Sequence, residues 1–204
     1  MTRRLPLAAG LALVFGMEGF SAALGMLRTR LVGGWIGPEG FGRLDTALRV
    51  IPLLLCLFSL GMTNAIGRYI TQHEAGRTQG AFLRAVASWP VGLCVAAGIL
   101  LACFPDPLGT LLLGSTPSAP FALALAVALP AALMFNLAIG TANGLRAYGA
   151  RALLQGISAL GILALSVLLI RWRPGPSAAL AATAAGTLAA LGLGVLLLGR
   201  RLRT

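Results

Sequence analysis

LPLAAGLALVFGMEGFSAALGML, residues 5–27, is an apolar run of 23 residues interrupted by one charge, Glu18. A helix needs about 20 mostly apolar residues to cross a hydrocarbon core, and this run has that length. Five more follow it: 50–67, 85–104, a segment inside the charge-free stretch 107–145, 152–170 and 174–199. The chain therefore reads as an all-α integral membrane protein. It is one bundle over residues 1–204, with six transmembrane helices at about 5–34, 46–68, 84–104, 121–143, 152–170 and 177–199.

Composition points the same way. Hydrophobic residues make up 58%, charged residues 10%, and the mean hydropathy is +0.90, which excludes an ordinary soluble domain. The net charge of +11 raises the question of nucleic acid. All sixteen basic residues are arginines, scattered singly and in pairs at helix ends rather than on one basic face, so no nucleic-acid partner is expected. Membrane orientation accounts for them better. With six spans and a cytoplasmic start, ten arginines fall inside: Arg3, Arg4, Arg68, Arg77, Arg84, Arg146, Arg151, Arg200, Arg201 and Arg203. Six fall outside: Arg28, Arg30, Arg43, Arg49, Arg171 and Arg173. Both termini read as cytoplasmic by the positive-inside rule. A cleaved signal peptide is the competing reading of residues 1–25, but 23 apolar residues exceed a usual signal core and no small-residue cleavage site ends them.

Cys56, Cys94 and Cys103 fall in spans without ligand spacing, so they read as packing residues, with no disulfide and no metal. Gly33, Gly34, Gly37, Pro38, Gly40 and Gly42 crowd the first turn, and residues 173–177 make the fifth. Residues 71–84, with His73, Glu74 and Arg77, form the longest polar loop, and 106–120 reads as an interfacial segment. Pro90 and Pro130 predict local kinks. In the sixth span Ala178, Ala182, Gly186, Ala190 and Gly194 recur every four residues, a small-residue face that should touch another helix.

Charge at bilayer depth costs at least about 2.5–3.5 kcal/mol per residue, so such a residue normally faces a cavity or a partner. Glu18 is one, read either as an interhelical hydrogen-bonding group or as an ion- or proton-coupling group. Arg28 and Arg30 stand in the outer half of the first helix, about 200° apart around its axis, so only one can face a cavity squarely. A cavity arginine suits an anionic substrate, because guanidinium binds phosphate bidentately and keeps its charge. Plain juxtamembrane anchoring is the alternative, and the better reading of Arg43 and Arg49. Asn64, Asn136, Asn143 and Gln155 are buried polar candidates for interhelical hydrogen bonds. An enzyme is not indicated, since one histidine in a cytoplasmic loop, with no GxSxG, HExxH, phosphate loop or close carboxylate pair, leaves no catalytic set and calls for no cofactor.

The run Arg28-Thr29-Arg30-Leu31 into Ile36-Gly37-Pro38-Glu39-Gly40-Phe41-Gly42, then Leu60-Gly61-Met62-Thr63-Asn64-Ala65-Ile66-Gly67-Arg68-Tyr69-Ile70, resembles the polysaccharide flippases of the multidrug/oligosaccharidyl-lipid/polysaccharide exporter superfamily. Trp35 replaces the usual Leu of their first turn, and Asn143-Gly144-Leu145-Arg146-Ala147-Tyr148 is similar to their fourth-to-fifth connection. The resemblance implies a carrier in the bacterial cytoplasmic membrane that moves an anionic, undecaprenyl-pyrophosphate-linked saccharide across the lipid by alternating access between two lobes. This chain has the length of one lobe of such a 12–14-helix protein, so a second lobe or a second copy is the implied partner, with membrane lipid around it. By the same resemblance Arg28 and Arg30 become the positive cavity wall for the pyrophosphate, Glu18 a gating or coupling group, and Arg68 a structural cation at an inner helix end. A multidrug or cation antiporter of the same superfamily is the alternative, though its cavity should favour carboxylates. A noncatalytic membrane scaffold is the reading from a different class.

Overall fold

The computed structural model describes residues 7–72, 77–114 and 116–202. Among them the chain is helical throughout, with seven α-helices and no strand. They are α1 (Leu7–Ser59), α2 (Met62–Tyr69), α3 (Arg77–Cys103), α4 (Pro105–Leu113), α5 (Ala119–Gly144), α6 (Tyr148–Trp172) and α7 (Pro176–Leu202), with a 3-10 turn at Ile70–Gln72. Four segments are long and apolar enough to cross a membrane: Thr78–Cys103, Ala119–Gly144, Tyr148–Trp172 and Pro176–Leu196. Ala12–Ser59 with Met62–Tyr69, bent by 58° between them, counts as a fifth. The protein is a multi-pass membrane protein.

The first two expected spans and the glycine-rich turn between them meet a different arrangement. Helical geometry persists from Leu7 to Ser59 except at Gly37, whose φ of 72° and ψ of 173° divide α1 into arms 7–36 and 38–59. Glycine reaches that φ without a Cβ clash, and Pro38 opens the second arm, where its missing N–H goes unneeded. The other glycines stay helical, and the Phe41 ring lies 3.6 Å from where a Cβ on Gly33 would stand. A second break at Leu60 and Gly61, φ 44° and 78°, sets α2 off from α1.

The polar loop expected over 71–84 is shorter than its composition suggests, because α3 begins at Arg77. His73 and Glu74 lie outside the described residues. The interfacial segment contains the helix α4, started by Pro105 and stopped by Gly114 in the left-handed region. α3 and α5 continue through Pro90 and Pro130.

α5 is the central element, with buried residues along its length from Phe121 to Gly144 and an exposed strip at Leu123, Val127, Met134 and Asn136. Its Leu125, Leu129 and Leu133 share one core with Leu44, Ala47, Ile51, Leu54 and Leu55 of α1, Cys94 and Leu101 of α3, and Leu180 of α7. The small-residue face of α7 packs as expected. Ala182 and Ala190 are fully enclosed, and a Cβ on Gly186 would lie 2.7 Å from the Ile162 backbone nitrogen, so α6 and α7 touch backbone to backbone. α2 lies as closely on the end of α5, where a Cβ on Gly140 would meet the Thr63 carbonyl oxygen at 2.8 Å.

Candidate functional site

The first arm of α1 lies along α6, and its two interior charges meet different ends of that helix. Arg151 and Gln155 are one turn apart on α6 and so share a face. From there both reach Glu18: Arg151 Nη2 donates to Glu18 Oε1 at 2.7 Å and Gln155 Nε2 donates to the same oxygen at 2.8 Å. Arg151 Nη1 donates to Asn143 Oδ1 at 2.9 Å, tying in the last turn of α5. Three helices are thereby joined through one ion pair. The pair is open on its carboxylate side, with the Glu18 side chain 50% exposed against 21% for Arg151.

Arg28 is held differently. Its Nε donates to Ser166 Oγ at 3.0 Å, and its Nη2 donates to the Ala179 carbonyl at 3.0 Å and to Thr183 Oγ1 at 2.7 Å. These fasten α1 to both α6 and α7. All three acceptors are neutral, and no carboxylate pairs with this cation among the described residues. Its Nη1 has no protein partner among them. Arg30 stands exposed, as the helical angle between the two arginines requires.

Between these two fastenings lies a cavity of about 270 Å³, lined by Ser21, Leu24, Gly25 and Arg28 of α1, Phe135 of α5, and Gln155, Ser158, Ala159 and Ile162 of α6. Three enclosed polar atoms around its Glu18 end lack partners among the described residues: Ser21 Oγ, Gln155 Oε1 and Arg151 Nε. Two can donate and two can accept, which is the mixed set that ordered water satisfies. The cavity is smaller than the roughly 300–1,000 Å³ of a site that encloses a drug-sized ligand. It has room for a small anionic group with water, and leaves the remainder of any larger ligand outside this chain.

Of the polar residues singled out from the sequence, Glu18, Arg28, Asn143 and Gln155 converge on or beside this cavity. Asn64 and Asn136 do not, being exposed rather than buried. Neither side chain makes an interhelical hydrogen bond among the described residues. Arg68 sits exposed in the last turn of α2. Arg43 and Arg49 pair along the second arm of α1 with Glu39 and Asp45, each at 2.8 Å and one turn apart, on its exposed face. Arg151 was legible only as an orienting charge near a helix end. Its i,i+4 spacing to Gln155 was the available signal, since Glu18 needed a donor pair on one face of another helix. Ser158, Ser166 and Thr183 carried no signal, because hydroxyls in apolar helices commonly bond their own backbone.

A family model described as polysaccharide biosynthesis protein matches residues 7–203 of the chain. No curated protein and no solved structure gives a significant match.

Proposed function

We infer the function of this chain from the family to which it belongs, the polysaccharide biosynthesis proteins: it is a membrane transporter rather than an enzyme, one lobe of a flippase for a lipid-linked oligosaccharide or polysaccharide precursor. In this reading the chain crosses the bacterial cytoplasmic membrane six times, the arms of α1 on either side of Gly37 supplying the first two crossings, with both termini in the cytoplasm. The observation that carries it is the state of Arg28, a cation at bilayer depth fixed by three neutral acceptors with one amino group uncommitted, on a cavity that Ser21, Gln155 and Ser158 help to line. A cation so placed, with no carboxylate against it, suits an anion brought from outside. A phosphate of the lipid carrier is that anion here, and Arg30, exposed two residues further on, is a second contact for it along the entry. The saccharide exceeds the cavity and lies between this lobe and a second lobe or second copy.

Glu18 serves as the gating group, its carboxylate holding Arg151 and Gln155 of α6. A cation antiporter is less well supported, because the carboxylate it would use is already neutralised by Arg151. The test is flipping of a lipid-linked saccharide in proteoliposomes or cells by the complete transporter carrying Arg28→Ala or Arg28→Lys. Flipping should fall at least tenfold in Arg28→Ala at unchanged membrane abundance, with partial recovery in Arg28→Lys, since loss of one charge-assisted contact of about 1.5–3 kcal/mol is roughly 10- to 150-fold. Unchanged flipping in both Arg28→Ala and Arg30→Ala would remove the assignment.

A further inference from the structure

At the opposite end of α6 a second hollow, of about 390 Å³, opens between the helix ends, lined by Pro120 of α5, Leu169 and Trp172 of α6, Arg173, and Ser177, Ala178 and Ala181 of α7. Its polar groups are all at one end. Trp172 and Arg173 close α6, Ser177 is in the first turn of α7, and the apolar Leu169 and Ala181 lie about one turn deeper along their helices, toward the bundle centre. Trp172 is 79% exposed. Arg173 is exposed; its backbone N–H donates to the Leu169 carbonyl at 2.9 Å, while its guanidinium makes no hydrogen bond or ion pair among the described residues. No acidic side chain lines the hollow. The start of α7 adds its own partial positive charge at the same end.

We propose that this hollow is a binding site for one anionic glycerophospholipid of the surrounding membrane, its phosphate on Arg173 and Ser177 and an acyl chain along Leu169, Ala178 and Ala181. The form of the groove selects an amphiphile. A soluble phosphate would use the polar end and leave the apolar floor bare, whereas a zwitterionic phospholipid would cover the floor but bring its own ammonium group beside Arg173. Trp172 is the residue that aligns at the boundary between headgroup and hydrocarbon, with an apolar ring and one N–H donor. The site stands apart from the Arg28 cavity and does not depend on the transport reading.

Trp172 also makes the site measurable. With Trp35→Phe and Trp89→Phe in the full chain, Trp172 is the sole tryptophan. The chain is reconstituted in vesicles in which either phosphatidylglycerol or phosphatidylcholine carries bromine on its acyl chains, at equal mole fraction. Brominated phosphatidylglycerol should quench Trp172 more strongly. Arg173→Ala should lower that selectivity about fivefold, as loss of one basic residue at a charged membrane surface implies. Arg171→Ala removes the same charge from the same helix end but does not line the groove, and should leave the selectivity in place. If Arg173→Ala fails to insert, Arg173→Gln with Ser177→Ala reads the same quantity. Equal quenching by the two lipids overturns the proposal, as does an equal loss in the Arg171 and Arg173 variants. Relief of quenching by millimolar inorganic phosphate also overturns it, since the ligand would then be a soluble anion.

Discussion

A close approach of α7 to α6 offers a direct test of how the bundle is held together. A methyl group on Gly186 of α7 would stand 2.7 Å from both the backbone nitrogen and the Cγ1 of Ile162 and 2.9 Å from its Cα, well inside the roughly 3.5–4.0 Å of carbon contacts. Two of those three atoms are backbone, so no rotamer change relieves the clash and α6 must shift. Overpacking of that kind costs about 1–3 kcal/mol. Against it stands a gain of about 1 kcal/mol from replacing glycine by alanine inside a helix. Gly192, further along α7, separates the two effects because a Cβ there meets nothing within 4 Å. Gly192→Ala should therefore stabilise by about 1 kcal/mol, and Gly186→Ala should fall below it by about 1–3 kcal/mol. At roughly 2–4 °C per kcal/mol for a chain of this size, the two variants should melt about 2–12 °C apart. Thermal unfolding of both in one detergent, followed by tryptophan fluorescence and by monodispersity on size exclusion, measures the gap. Midpoints within about 1 °C of each other would refute close packing at this position and with it the account of the small-residue face.

Two further outcomes follow from the polar contacts and the chain path. Glu18→Gln keeps an acceptor near Gln155 but leaves Arg151 without a counter-charge, and should destabilise by about 1–2 kcal/mol, below the 3–5 of a fully buried pair because the carboxylate is half open. Glu18→Gln with Arg151→Gln should recover much of that loss in a detergent-denaturation double-mutant cycle; strictly additive effects would show that the pair is not coupled. With Cys56, Cys94 and Cys103 replaced, Gly175→Cys between α6 and α7 should react with an impermeant maleimide in intact cells, and Gly149→Cys at the start of α6 only after permeabilisation; the reverse pattern would invert the proposed orientation.

What was legible in the sequence followed from uninterrupted apolar length. The ends of α5, α6 and α7 lie within a few residues of those expected, since each is bounded by Pro, Gly or Arg and nothing inside competes. The region around residues 33–42 misled because glycine marks both turns and close packing. Only Gly37 uses its conformational freedom there, while Gly33 leaves room for the Phe41 ring across the break. α3 starts about two turns before its apolar run because Thr78, Gln79 and Arg84 are helical residues whose polarity reads as loop. At the site, helical angle alone separated Arg28 from Arg30. The partners of Arg28 lie 138 to 155 residues away along the chain, a long-range pairing of hydroxyls and a carbonyl that no local pattern encodes.

The spacing of the two interior charges on α1 constrains how they work together. Glu18 and Arg28 are ten residues apart, a rise of about 15 Å, so no single phosphate touches both. A carboxylate at that distance neither repels an anion on Arg28 strongly nor competes for its guanidinium, and Arg151 neutralises it locally. The two ends of the cavity are also fastened unequally. Arg28 is held by three bonds to two helices, whereas Glu18 joins α6 through one half-open oxygen beside three unpartnered polar atoms that water can occupy. A contact that water can replace at both partners has little net strength, about 0–1 kcal/mol for an exposed ion pair, while one made at depth to neutral acceptors has no such substitute. Separation of α1 from α6 should therefore begin at the Glu18 end, with Arg28 keeping its hold on α6 and α7.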